Sequence, residues 1–89
     1  MTFREFGAAI ADGVLRQVPT ATYDPPRQTG QAGFIRLGDA TATIMLEKSS
    51  WRIAFSRAGG GVSMASLAGE TVNRTTAENI AISIAGFLA

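Results

Sequence analysis

The sequence predicts an α+β fold: a two-layer sandwich of order α-β-β-β-β-α, an antiparallel meander of three to four strands with both terminal helices on one face. Three observations predict it. Threonine-x-x-glutamate boxes stand at Thr2 and Thr75, each followed by apolar residues at helical spacing. Between them, short runs alternate apolar and polar side chains with the two-residue period of a strand. The connections between those runs are brief and rich in Gly, Asp and Ser, which suits hairpins and so antiparallel neighbours.

The first helix starts at Thr2, whose hydroxyl can accept from the amide three residues on while Glu5 reaches back to the cap. Phe3, Phe6, Ile10, Val14 and Val18 then fall on one face, and Pro19 ends the element. Gly7 and Gly13 each weaken it by up to about 1 kcal/mol relative to alanine, which suits positions where another backbone comes close. Residues 18–33 hold all three prolines and read as a long surface loop with a short extended piece at Thr20 to Tyr23. Such a loop can present Tyr23 and Arg27 to a partner around a stiff Pro25-Pro26.

Phe34–Leu37 is the first expected strand, turned by Gly38-Asp39 into Ala40–Lys48 (ATATIMLEK). In the latter Ala42, Ile44 and Leu46 share one face, with Thr41, Thr43, Met45 and Glu47 on the other. Trp51–Arg57 sets Trp51, Ile53 and Phe55 against Arg52, Ala54 and Ser56, and Val62–Leu67 is the last expected strand. The final helix is expected to start near residue 76. Ala77, Ile80, Ala81, Ile84, Phe87 and Leu88 form its sheet-facing stripe. Ile82, Ala85, Gly86 and Ala89 make a second apolar seam, to be buried against the first helix or, through Ile82, Ala85 and Ala89, against another copy of the chain.

Eighty-nine residues form one domain, 1–89, able to bury roughly 60–65% of the surface the unfolded chain exposes. There is no cysteine and no histidine, which excludes disulfides, thiolate metal sites, thiol nucleophiles and the commonest general base. The seven carboxylates are scattered without ligand spacing, and no activated-nucleophile set is visible. Ala58-Gly59-Gly60-Gly61 lacks the Gly-Lys-Ser/Thr ending of a phosphate loop and reads as a hairpin turn. No catalytic residue, metal site or cofactor is therefore expected. The longest apolar run, residues 80–89, is about half of the ~20 residues a membrane span needs, and Asp12 interrupts the apolar start as a signal peptide would not allow. A cytoplasmic protein is expected. Seven arginines against one lysine, with fifteen alanines, point to a high-GC genome, an actinobacterium or one of its phages.

The helix–strands–helix order, with its alanine-rich last helix TTAENIAISIAGFLA, is similar to the double-stranded RNA-binding domain over residues 34–89. That resemblance implies phosphate contacts from a lysine cluster at the start of the last helix. Here Val72–Glu78 supplies one arginine and one acid, so the functional motif of that family is missing. With a net charge of +1, weak nucleic-acid binding through Arg36, Arg52, Arg57 and Arg74 is the alternative function. The leading expectation is a non-enzymatic protein–protein interaction module, such as a phage-encoded accessory or inhibitor protein. Its partner-binding candidates are Phe34, Arg36, Met45 and Arg52 on the outer sheet face, with Tyr23, Arg27 and Arg57, together with a sheet edge open to strand addition. A self-assembling structural phage protein is the third form.

Overall fold

The computed structural model describes residues 1–27, 32–47, 50–58 and 66–88. Helix α1 (Phe3–Gln17) is followed by five strands, β1 (Thr22–Asp24), β2 (Gly33–Leu37), β3 (Ala40–Leu46), β4 (Trp51–Arg57) and β5 (Ser66–Gly69), and by helix α2 (Arg74–Leu88). The strands form one antiparallel sheet in chain order, β1-β2-β3-β4-β5. This is the expected α+β sandwich with one strand more. The extended piece expected at Thr20 to Tyr23 within the 18–33 loop lies two residues further on, at Thr22–Asp24, and is a paired strand: Thr22, Tyr23 and Asp24 pair with Arg36, Ile35 and Phe34.

The capping box at Thr2 forms as its residues dictate: the Glu5 amide donates to Thr2 Oγ1 at 3.1 Å and the Thr2 amide to Glu5 Oε1 at 3.0 Å. The second box does not form. Asn73 caps α2 instead, its Oδ1 accepting from the Thr76 amide at 2.8 Å, while its carbonyl takes the Ala77 amide. Asparagine is at least as good an N-cap as threonine, and the earlier start adds Arg74 and Thr75 to the first turn. The Gly38-Asp39 turn stands as expected, with Gly38 at φ +60°. Of the expected last strand, residues 62–65 lie outside the described residues, and the described strand runs on to Gly69.

The core lies between the layers. Phe6, Ile10 and Val14 of α1 and Ile80, Ile84 and Leu88 of α2 meet Ile35, Ile44, Ile53, Phe55 and Trp51 of the sheet. Phe6 packs on Trp51 with ring centroids 6.1 Å apart, and Phe87 packs on Phe55 at 5.0 Å. The helices meet where Gly13 faces Ala81. A methyl group on Gly13 would lie 2.7 Å from the Ala81 Cβ, closer than two carbons can approach. Ala81, expected in the sheet-facing stripe, therefore meets α1 instead. The second apolar seam of α2 is divided: Ala85 is buried at 4% exposure, and Ile82 stands 58% exposed.

Candidate interaction surface

With both helices on one side, alternation along each strand decides what the other side shows. The inner side takes Tyr23, Ile35, Ala42, Ile44, Ile53 and Phe55. The outer side takes Thr22, Asp24, Phe34, Arg36, Thr41, Thr43, Met45, Arg52, Ala54, Ser56, Ser66 and Ala68, and no described element covers it. Phe34 and Met45 are half-buried among their neighbours, while Asp24, Arg36 and Arg52 are exposed.

Register brings the four sheet-face candidates close together. Met45 is directly opposite Arg52, and Phe34 is opposite Thr43, two residues along β3 from Met45. The Arg36 guanidinium carbon sits 4.7 Å from the Phe34 ring centroid, and one of its nitrogens lies 4.0 Å from the Asp24 carboxylate. A guanidinium over a ring face is attracted by the ring's negative quadrupole, so Phe34 and Arg36 act as one flat unit. Thr41, Thr43, Ala54, Ser56, Ser66 and Ala68 keep the rest of the face low. Asp24 was missed at the sequence level, because its place on the face depends on β1 being a strand.

The other candidates are placed elsewhere. Tyr23 faces α1: a methyl group on Gly7 would lie 3.5 Å from the Tyr23 hydroxyl oxygen and 3.5 Å from Leu46 Cδ1. Burial raises the Tyr23 pKa above its ordinary value, and the negative charge of Asp12 adds to the rise. Arg57 falls on the inner side with Ala40 and is committed to the end of α2. Its Nη2 donates to the Phe87 carbonyl at 2.7 Å, its guanidinium carbon lies 4.8 Å from the Phe87 ring centroid, and Nη1 is 3.5 Å from Asp39. Its side chain satisfies one of the carbonyls that the last helical turn leaves open. Arg27 is exposed beyond β1, and Arg74 is exposed at the start of α2, away from the sheet face.

Of the self-association candidates, Ile82 alone is displayed. Ala85 is buried and so withdrawn from any surface contact, and Ala89 lies outside the described residues. Ile82 borders an open groove of about 270 Å³ between the helices, with Gly13, Arg16, Gln17, Glu78 and Ala81. The β1 edge is short: it has three residues and runs into Pro25-Pro26, which resists strand addition, and the described part of β5 has four.

Among the described residues, no group of three or more Asp or Glu side chains is placed to hold a metal ion, and no helix is long and apolar enough to cross a membrane. The likeness to the double-stranded RNA-binding domain stops at element order, since this sheet has five strands in sequence. No family model, no curated protein and no solved structure matches the chain.

Proposed function

We propose that the protein is a small non-enzymatic interaction module that engages another protein through the outer face of its sheet. One observation carries this reading: both helices lie on the inner side, leaving a continuous face of Phe34, Arg36, Met45 and Arg52 with no described element over it. Protein contacts combine an apolar centre, in which aromatic residues, methionine and arginine are enriched, with a polar rim. Phe34 and Met45 supply such a centre here, and Asp24, Arg36, Arg52 and the threonines supply the rim.

Nothing comparable favours nucleic acid. Arg36 covers the ring on which a base would stack and has the Asp24 carboxylate 4.0 Å away to repel a phosphate, while Arg57 is committed to Phe87 and Asp39. Arg52 and Arg74 then remain, on different surfaces, and two separated cations are a poor grip on a phosphate backbone. The reading includes a cytoplasmic setting and a phage-encoded accessory role; the arginine- and alanine-rich composition bears only on a high-GC source.

The test compares the wild type with Arg52→Glu and Ile82→Glu in recovery of a bound protein. Arg52→Glu is expected to abolish recovery while leaving the circular dichroism unchanged, and Ile82→Glu, on the opposite layer, is expected to keep it. The reverse pattern moves the site to the helices and ends the sheet-face reading.

A further inference from the structure

We propose that the occupant of the outer sheet face is a second copy of this chain, bound face to face about a two-fold axis. This rests on the sheet-face reading above and names its partner. An isologous contact requires a self-complementary patch, since each group meets the symmetry mate of another. The register supplies that complementarity. Asp24 stands on β1 opposite Phe34, and Arg52 stands on β4 between Met45 of β3 and Ala68 of β5. They are three strands apart, roughly 14 Å at the usual interstrand spacing. They are also one outward-facing position apart along the strands, because Asp24 is level with Ala54 through Phe34 and Thr43.

Opposite charges thus stand on either side of Phe34, Thr43, Met45 and Ala54, Asp24 on the edge strand with Arg36 beside it and Arg52 one strand in from the other edge. A two-fold axis in the plane of the contact, passing between the two charges, sets each Asp24 against the Arg52 of the other copy. The ion pair forms twice. The same operation brings Phe34 of one copy toward the space bounded by Thr43, Ala54, Met45 and Arg52 of the other, so the two apolar side chains Phe34 and Met45 come together across the contact. Both charges are available for this. The Asp24 side chain is 54% exposed, with Arg36 at the 4.0 Å limit of an ion pair, and Arg52 is exposed with no ion pair among the described residues. A face of one sign would repel its own copy. This one carries both.

Five strands span only about 19 Å, which is below the size of a standard interface, so the dimer is weak and reversible. Sedimentation equilibrium from about 1 μM to 1 mM covers the affinities such a contact gives. The wild type is expected to pass from monomer to dimer across that range. Asp24→Arg and Arg52→Asp, each placing like charges opposite one another twice, are each expected to weaken self-association by at least about tenfold. An equimolar mixture of the two variants is expected to restore a dimer containing one of each, because both pairs regain opposite signs. This arm also shows that both variants are folded.

A wild type that stays monomeric throughout overturns the second copy as occupant; the sheet-face reading is then decided separately by the Arg52→Glu recovery experiment. A dimer that survives both charge reversals and dissolves with Ile82→Glu overturns the inference and moves the contact to the helices. Two variants with native circular dichroism that fail to pair in the mixture overturn the Asp24–Arg52 contact.

Discussion

The indole of Trp51 lies directly on Gly69, its opposite number across the β4–β5 ladder: a methyl group on Gly69 would stand 2.7 Å from Trp51 Cζ2 and 3.1 Å from Cε2. The ring is held there from the other side by Phe6 and by its own Nε1, which donates to the Thr71 carbonyl at 3.0 Å. Trp51 therefore ties the last strand and the approach to α2 onto the first helix.

Gly69→Ala forces that ring to move. Overpacking of this kind costs typically about 1–3 kcal/mol. The expected loss in melting temperature is about 4–8 °C for each kcal/mol in a domain of this size. Trp51 is the single tryptophan, so its emission is expected to shift to longer wavelength as the ring gains access to water. An alanine variant with unchanged melting and emission would show that the ring has room to spare.

Two of the three helical glycines, Gly13 and Gly86, predict opposite signs for one substitution. At Gly13 a methyl group meets Ala81 Cβ at 2.7 Å, so Gly13→Ala separates the helices and is expected to cost about 1–3 kcal/mol. At Gly86 nothing lies within 4 Å, so Gly86→Ala collects the helix propensity of alanine, roughly 0.5–1 kcal/mol of added stability. Chemical denaturation of the two variants checks both signs together. Stabilisation at Gly13 would mean that the helices do not approach as closely as the geometry says.

Particular residues show what the sequence could and could not reveal. The core stripe Phe6-Ile10-Val14 and the buried set Trp51-Ile53-Phe55 follow from periodicity alone, because each lies in an element long enough to repeat its pattern. Phe34, Arg36, Met45 and Arg52 share the outer face for the same reason. Asp24 stayed hidden because the extended piece expected at Thr20 to Tyr23 stops one residue short of it, and pairing with Arg36 and Phe34 across the ladder carries the strand on to Asp24. Tyr23 was expected on a partner-presenting loop and Arg57 on a strand, but the side each takes depended on strand phase and on where α1 and α2 sit. The T-x-x-E box at Thr75 was locally sound and lost to Asn73 two residues earlier.

The raised pKa of Tyr23 predicts an alkaline limit to stability. The phenol is neutral in folded and unfolded chains below its ordinary value near 10. Above that value the unfolded chain releases its proton first, while burial beside α1 and the charge of Asp12 hold the proton in the folded state. The unfolded state then binds fewer protons, so stability falls as pH rises from about 10 toward the folded value. Thermal melts on either side of pH 10 should show this fall, and Tyr23→Phe should flatten it. An ultraviolet titration that finds the single tyrosine ionising at its ordinary value would remove the basis for the effect.

Glu5 carries the opposite dependence at the acid end. Hydrogen bonds from the Thr2 backbone amide and then the Thr2 side chain lower its pKa below the ordinary carboxylate value. A depressed folded pKa contributes stability that is present above the unfolded value, near 4.5, and is lost as pH falls through the folded one. Glu5→Gln should therefore lower the neutral region slightly, flatten part of the acid limb of a stability–pH profile and meet the wild type at its acid end. A profile identical to the wild type between pH 5 and pH 2 would show that the cap bond contributes nothing through its charge.

Arg52 and Arg57 lie five residues apart on one strand and make the sharpest contrast in the molecule. The odd interval puts them on opposite sides of the sheet. Arg57→Ala removes the donor to the Phe87 carbonyl, the cation over the Phe87 ring and the partner of Asp39. It is expected to cost about 1–2 kcal/mol, in line with a charge-assisted bond at a partly exposed helix end. Arg57→Lys keeps the charge but neither the planar fork nor the stacking, so it should recover less than half of the loss. Neither change alters the outer face, so partner recovery and self-association should both persist. Arg52→Ala should do the reverse, leaving the melting temperature within the small range of a surface change while weakening association. Paired melting and sedimentation measurements on the three variants decide it. An Arg57 variant that melts normally yet fails to associate would place Arg57 on the binding surface and contradict the assignment made from its contacts.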